Sequence, residues 1–403
     1  MHYDFETILD RSGTNALAID GLGKIPGFSP DPPKQGWDLI PMWVADMNFA
    51  APACITDAII RRAQHPAFGY FLTPDAYYDA ISSWHARRKG VTDIRREHID
   101  YQNGVLGGVA SALSAFSSPG DEILINSPTY VGFTKTLAAM GRHALHSPLV
   151  RDAEGTWRMD YDDMERKLRD HHVHVAILCS PHNPCGRVWE RDELERAMEL
   201  FERYQCVVIA DEIWSDLVLP GVRYVSPQSV TPWAHDNTIS LFAPSKTFNL
   251  AGLVGSYSVT YNARLRDRMR SVSDATHYNE MNVLSMEALV GAYGDEGAEW
   301  LGQLLSVIDR NVDLACGYVR DRFEGVSVYR SQGTYMLLID CSAWLDEHGW
   351  TLPQLEKAGW DVGVAWQDGG AFLAPQSIRI NLALPTSRVE EAFRRLDEHV
   401  FNA

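Results

Sequence analysis

Residues 173–187, VHVAILCSPHNPCGR, join an almost continuous apolar run to a turn that is rich in proline. An apolar run of this length predicts a strand that is buried on both faces, as in a parallel sheet covered by helices. Two prolines and a glycine constrain the turn, and they would hold the amide of Asn183 in one direction. The stretch therefore predicts a parallel sheet with a polar side chain directly after one of its strands.

Helical and strand-like patterns alternate from about residue 50 to residue 290. The helical patterns cover 52–65, 74–90, 105–117, 130–141, 160–170 and 190–204. The other strand-like runs are EILI (122–125), CVVIA (206–210), TISLF (238–242) and GSYSV (255–259). This alternation predicts an α/β fold in which helices cover both faces of a mostly parallel sheet.

The pattern changes after residue 290. The later elements are a long helix (296–323), strand-like residues 326–340, a helix at 351–358, strands near 361–364 and 377–382, and a last helix at 386–399. We therefore predict a large domain (41–290) and a smaller α+β domain (291–403). Residues 1–40 are rich in Gly and Pro, and we expect them to form an extended arm that packs with the small domain.

Charge and composition exclude several classes of protein. The formal net charge of −17 argues against general binding of nucleic acid. No run of about 18 apolar residues predicts a membrane span, and the N-terminal MHYDFE has no apolar signal core. Six scattered cysteines do not suggest a disulfide scaffold, so we expect a cytoplasmic protein. No metal site is predicted, because the histidines at 171–174 lack a carboxylate at ligand spacing.

Three polar side chains follow three successive strand patterns. Asn183 lies in the turn quoted above, Asp211 directly follows the second pattern, and Lys246 stands just beyond the third. Each has an ordinary explanation when taken alone: an Asx turn, a helix cap and a solvated lysine. Because ligands bind outside the carboxyl ends of parallel strands, the three together predict a site at one edge of the sheet.

Four motifs in this order resemble those of a known superfamily. SPHNPCG (180–186), ADE (210–212), SKTFN (245–249) and SIRIN (377–381) are similar to motifs of the class I and II aminotransferases. These are fold type I enzymes that use pyridoxal 5′-phosphate (PLP), and the resemblance covers nearly the whole chain. Within the superfamily, WVADMNF, FGY and SKTFN are most similar to the cystathionine β-lyases, or MalY- and PatB-type C–S lyases.

The resemblance implies a role for each of the polar side chains toward PLP. Lys246 would hold the cofactor as a Schiff base and would then remove the Cα proton of an amino-acid substrate. Asp211 would keep the pyridine nitrogen protonated, so that the ring can accept electrons. Asn183 would donate to the phenolic oxygen of the ring, and Tyr130 would stack on its face. Arg379 would bind the substrate α-carboxylate through its two-pronged guanidinium.

The resemblance also implies where the cofactor phosphate is bound. The backbone amides of Val105 and Leu106 begin a helix, whose N-terminus attracts anions, and Ser245 would add a hydroxyl. Tyr70 matches a tyrosine that reaches the phosphate from the neighbouring subunit. It is also, like Lys246, a candidate donor of the proton to the leaving sulfur. A homodimer with active sites at the subunit interface is therefore implied.

Three positions depart from the patterns of the superfamily. Val254 stands where many aminotransferases have an arginine that binds the phosphate, and the C–S lyases share this loss. Trp214 stands where aminotransferases typically have Tyr and the lyases often have His. Its indole N–H can donate to the phenolic oxygen but cannot accept. Asn48 stands where the lyases often have Asp. The loss at Val254 favours a lyase over an aminotransferase.

The predicted reaction is the α,β-elimination of L-cystathionine or a related L-cysteine S-conjugate to a thiol, pyruvate and ammonia. Two alternatives stay open: an aminotransferase, which begins with the same proton abstraction, and a regulatory protein that binds a transcription factor. The predicted partners are a small amino-acid substrate and a second copy of the chain, and neither nucleic acid nor a membrane. The physiological thioether is not indicated by the sequence.

Overall fold

Apolar strands and amphipathic helices alternate through most of the protein. The computed structural model describes residues 2–402. The helices of this part of the chain are α1 (Leu17–Asp20), α2 (Ala53–Ala63), α3 (Asp75–Lys89), α4 (Val105–Phe116), α5 (Val131–Ala139), α6 (Tyr161–Asp170), α7 (Arg191–Arg203), α8 (Pro232–Asn237), α9 (Pro244–Thr247), α10 (Ala263–Thr276), α11 (Val283–Ala292), α12 (Asp295–Arg322), α13 (Ser342–His348), α14 (Leu352–Asp361) and α15 (Thr386–Leu396). The strands are β1 (Ile40–Pro41), β2 (Ile99–Asn103), β3 (Glu122–Ser127), β4 (His143–Pro148), β5 (Val150–Arg151), β6 (Trp157–Arg158), β7 (Val175–Cys179), β8 (Val207–Asp211), β9 (Thr238–Phe242), β10 (Gly255–Val259), β11 (Ser327–Val328), β12 (Met336–Asp340), β13 (Val364–Ala365), β14 (Gln367–Asp368) and β15 (Ser377–Asn381).

The central sheet has the strand order β2-β10-β9-β8-β7-β3-β4. Five neighbouring strands, from β4 to β9 in this order, run parallel. β10 is antiparallel to both of its neighbours, β9 and β2. β7 and β9 are buried at every residue, as their continuous apolar character predicts. The predicted α/β fold with a mostly parallel sheet is confirmed.

A second, antiparallel sheet has the order β11-β12-β15-β14. The long helix α12 lies beside α15 and β11. The N-terminal segment contacts this part of the protein: β1 pairs with β13, and the carboxylate of Asp38 forms ion pairs with Arg388 and Arg395. The boundaries that we placed at residues 40 and 290 stay a prediction.

Side-chain caps help to begin the helices around the sheets. At α6 the carboxylate of Asp160 accepts the backbone N–H of Asp163 at 3.0 Å, and at α11 Asn282 accepts that of Leu284 at 2.8 Å. α7 begins with acidic residues and ends with Arg203, which suits the dipole of the helix. The cap at Asp160 agrees with the helix start predicted at residue 160, whereas α11 was not predicted from the sequence.

Some local predictions were wrong. The strand predicted over 326–340 is two strands, β11 and β12, with a loop between them. The strand predicted near 361–364 begins only at Val364, as β13, because Asp361 is still the end of α14. The arm contains the short helix α1. The sequence analysis also missed β2 and β4, because their half-polar residues do not form an apolar run.

No helix within residues 2–402 is long and apolar enough to cross a membrane. In the same range, no cluster of three or more His, Cys, Asp or Glu side chains is arranged to hold a metal ion. All six cysteines are free thiols, and four of them are buried.

Candidate active site

The adjacent parallel strands β7, β8 and β9 end at one edge of the central sheet. Asn183, Asp211 and Lys246 meet there in a cavity of about 210 Å³. The predicted site residues that line this cavity are Val105, Leu106, Tyr130, Asn183, Asp211, Trp214, Ser245 and Lys246. Parallel strands bring these residues together because their carboxyl ends share one edge of the sheet.

Two predicted residues lie outside this group, and they differ from each other. Arg379 lies in β15 of the second sheet, and its Nη1 donates to Oδ1 of Asn183 at 3.2 Å, so it contacts the site through that amide. Tyr70 is fully exposed, in a loop that also exposes Phe68 and Leu72. Within its own chain, the structure does not bring Tyr70 to the cavity.

The amine of Lys246 points into the site. Its Nζ donates to the backbone carbonyl of Ala45 at 2.7 Å and lies 5.8 Å from the ring of Trp214. Burial and the charge of Arg379 lower the pKa of Lys246 to about 8, while Asp211 acts in the opposite direction. Because more of this amine is unprotonated near neutral pH than in an exposed lysine, it suits a nucleophile or a base.

Asp211 is a buried carboxylate without a cationic partner in the described part of the chain. Its Oδ1 accepts the backbone N–H of Ile213 at 3.0 Å. Burial raises the pKa of Asp211 to about 6. A buried carboxylate that makes one hydrogen bond is costly unless a positive group meets it. The protonated pyridine nitrogen of PLP is such a group, so the residue fits this cofactor.

The N-terminus of α4 lies on another wall of the cavity. Gly104 precedes the helix with a φ of 78°, and the first backbone N–H groups of a helix have no partner within it. Val254, in the place of the aminotransferase arginine, lies 3.7 Å from the position that a Cβ on Gly104 would occupy. Among residues 2–402, no cationic side chain other than Lys246 lines the cavity. The helix N-terminus and Ser245 therefore suit the phosphate of PLP.

Arg379 is a buried cation that forms no ion pair within the described residues. Its Nη2 donates to Gln367, its Nε has no hydrogen-bond partner, and its guanidinium lies 4.0 Å from the ring centre of Phe372. Burial lowers the pKa of Arg379 to about 10, yet the group stays charged at neutral pH. A guanidinium without a counterion at the site fits an anionic ligand such as an α-carboxylate.

The turn that carries Asn183 is held by buried contacts. A ring nitrogen of His182 lies 2.7 Å from the backbone carbonyl oxygen of Pro128. The carbonyl of Gly186 accepts the N–H groups of Gln332 and Gly333 at 2.8 and 3.1 Å. His182 therefore helps to connect the turn with the segment before α5, and the turn also contacts the loop between β11 and β12.

We expect Gly186→Ala to lower the free energy of unfolding by about 3 kcal/mol. Gly186 has a φ of +66°, and a Cβ there would lie 2.5 Å from the Cβ of Ser331. Gly155→Ala is the control: its φ is +80°, but a Cβ there would meet nothing within 4 Å, so only the backbone cost of about 1 kcal/mol remains. Urea unfolding measures both. Equal losses in the two variants would contradict the close-packing argument.

The sequence analysis did not identify the residues that hold the segment before α2. The amide of Asn381 donates to the carbonyls of Val44 and Asp46 at 2.7 and 2.6 Å. The amide of Asn249 donates to the carbonyl of Met47 at 2.9 Å. Asn381 ends the motif SIRIN and Asn249 ends the motif SKTFN. Their places in these motifs were the signal from which the sequence could have identified them.

The family model for aminotransferase class I and II matches residues 38–396. The chain is 31% identical to a protein named cystathionine β-lyase PatB of Bacillus subtilis over 98% of both chains. It is also similar to two solved structures. Cystalysin of Treponema denticola, which contains PLP, is 28% identical with a TM-score of 0.90, and the match covers 99% of this chain and 98% of that one.

A PLP-bound C–S lyase of Staphylococcus hominis is 27% identical, with a TM-score of 0.87 over 98% of both chains. The family match, the near-complete coverage and these TM-scores confirm the resemblance and the fold that the motifs implied. Together with the edge of the sheet at which Asn183, Asp211 and Lys246 meet, they show that the chain belongs to the aminotransferase class I and II family.

Proposed function

We propose that the protein is a PLP-dependent C–S β-lyase, which converts L-cystathionine or a related L-cysteine S-conjugate to a thiol, pyruvate and ammonia. One observation carries the proposal: the side chains of Lys246, Asp211 and Asn183 line one cavity, and the buried guanidinium of Arg379 donates to Oδ1 of Asn183 at 3.2 Å. Relatives and solved neighbours named as cystathionine β-lyase or C–S lyase support it. When bound, PLP supplies the electron sink for the charge that forms at Cα.

Each side chain of the site has a separate task in this reaction. The guanidinium of Arg379 binds the α-carboxylate and so fixes the orientation of Cα. Lys246 accepts the Cα proton, and Asp211 would keep a positive charge on the pyridine nitrogen when the cofactor is bound. Because Oδ1 of Asn183 accepts from Arg379, its amide N–H groups are directed elsewhere and can donate to the phenolic oxygen of the ring. Tyr130 lines the same cavity and would cover the face of the ring.

The exposed loop around Tyr70 supports a homodimer as part of the proposal. Tyr70 and Leu72 are almost completely exposed, and Phe68 is 57% exposed. Such an apolar segment is typical of a surface that another protein covers. We infer that a second copy of the chain covers it and receives Tyr70 at its phosphate site. The free cysteines support the further proposal of a cytoplasmic location.

The function is tested with purified protein, PLP and L-cystathionine. A lyase releases a free thiol and pyruvate in equal amounts without any added keto acid, as measured with a thiol reagent and with lactate dehydrogenase. An aminotransferase instead needs a keto acid and produces its amino acid. If amino transfer dominates and no thiol is released, the proposal of a lyase is wrong.

We expect Asp211→Asn to lower kcat for thiol release by about 100-fold or more. The amide oxygen still accepts the N–H of Ile213, but it no longer stabilises a positive pyridine nitrogen. PLP absorbance should show that the variant still takes up cofactor. Asp100→Asn, a carboxylate of β2 that is paired with Arg270 at 2.8 Å, is the control and should keep kcat within about twofold. Equal kcat in both variants would contradict this role of Asp211.

A further inference from the structure

A second donor shares the carbonyl that holds Lys246. The hydroxyl of Tyr335 donates to the backbone oxygen of Ala45 at 2.9 Å, and Nζ of Lys246 donates to the same oxygen at 2.7 Å. A carbonyl oxygen has two lone pairs, so it can accept both hydrogen bonds at once. The phenol and the amine are therefore linked through one atom.

This carbonyl is held in a fixed position. Asn381 binds the carbonyls on either side of it, those of Val44 and Asp46, and Asn249 binds the backbone of Met47 through both its oxygen and its nitrogen. The side chains of Asn381 and Asn249 thus hold four backbone groups next to the Ala45 carbonyl. The peptide cannot turn away from Lys246 without breaking these contacts, which is the kind of support that a precise site requires.

The phenol of Tyr335 is fixed as well. The side chain is fully buried, and its ring packs edge-on against Trp214, with the ring centres 4.8 Å apart. Burial raises the pKa of Tyr335 well above its ordinary value, so the hydroxyl keeps its proton and acts as a donor. The phenol therefore remains a donor to the Ala45 carbonyl at neutral pH.

We propose that the Ala45 carbonyl and the Tyr335 hydroxyl form a docking position for the free amine of Lys246, and that Tyr335 is a positioning residue of the reaction. The inference rests on the proposed function, in which this amine must accept the proton that leaves Cα. A free lysine side chain has several rotamers, and a fixed acceptor restricts them. Tyr335 acts through Ala45 and does not line the cavity.

We expect the shared oxygen to influence the pKa of the Lys246 amine as well. The hydrogen of the Tyr335 hydroxyl is partly positive and points at the atom that binds the ammonium group, so it disfavours the charged form of Lys246. The other charged groups that act on the amine are Arg379, which also disfavours that form, and the carboxylates of Asp46 and Asp211, which favour it. Removal of the hydroxyl should therefore leave the amine more strongly protonated.

The first test measures the amine directly, without catalysis. The cofactor is removed from the full-length protein, and mass spectrometry follows the acylation of Lys246 by acetic anhydride as a function of pH. We expect the midpoint in Tyr335→Phe to lie about one pH unit above that of the wild type. Tyr257→Phe removes another fully buried hydroxyl, which contacts His85 and Tyr293 instead, and its midpoint should be unchanged.

The second test uses the holoenzyme. In Tyr335→Phe, kcat should fall about tenfold at pH 7 and recover toward the wild-type value near pH 9, with little change in KM. A loss of equal size at every pH, or equal acylation midpoints in the Tyr335 and Tyr257 variants, would overturn the proposal. The acylation result does not depend on any lyase activity, so this inference and the proposed function can fail separately.

Discussion

Replacing Lys246 with alanine is expected to lower kcat for thiol release by about 10⁴-fold. The variant loses the nucleophile that holds PLP and the base that removes the Cα proton. No second lysine lines the cavity in the part of the chain that the structure describes, so no neighbouring amine can replace it. The measurement is the initial rate of thiol release with saturating L-cystathionine, in protein whose PLP content is determined by absorbance.

A control lysine and a rescue experiment make this result specific. Lys24→Ala changes an exposed lysine of the N-terminal segment and should leave kcat within about twofold. Added methylamine should restore part of the activity of Lys246→Ala, because a small amine can occupy the space of the missing one. A Lys246→Ala variant with more than a tenth of the wild-type kcat would contradict the role of this residue.

Replacing Arg379 with glutamine is expected to lower kcat/KM by about 100-fold or more, mainly through KM. The substrate α-carboxylate would enter a buried site and find no cation there. An S-alkyl cysteamine, which has the same thioether and amine but no carboxylate, is the matched probe. The wild type should bind it poorly compared with the S-alkyl cysteine, and Arg379→Gln should bind the two about equally. Unchanged discrimination in the variant would contradict the carboxylate role.

The free energy of unfolding should distinguish Arg379, a ligand-binding arginine, from an arginine with a structural role. Arg187 is also buried, but it forms an ion pair with Glu193 at 2.5 Å. Arg187→Gln would remove one of the two cations on that carboxylate, because Arg158 still pairs with its Oε1 at 2.9 Å, and we expect it to lower the free energy of unfolding by about 2 kcal/mol. Arg379 leaves no carboxylate behind, so Arg379→Gln should stay within about 1 kcal/mol of the wild type. Urea unfolding of both variants measures the difference.

The parts of the fold that the sequence predicted are those with a local signal. β7, β8 and β9 are continuous apolar runs, and the polar residue after each run identifies the carboxyl edge of the sheet. β2 and β4 have no such signal, because neighbouring strands decide their conformation and leave them half polar. The antiparallel direction of β10 also depends on its partners.

The sequence by itself determined the chemical groups of the site: an amine, a carboxylate, an amide and a guanidinium in four ordered motifs, with Val254 in place of an arginine. The tertiary structure alone decided how those groups are paired. It leaves Asp211 and Arg379 buried without counterions among the described residues, and it brings the hydroxyl of Tyr335 and the amine of Lys246 to one backbone oxygen. Tyr335 and Ala45 are 290 positions apart. A contact of this kind depends on how segments that are distant in the sequence pack together, and every residue type has a backbone carbonyl, so the sequence gives no signal for it.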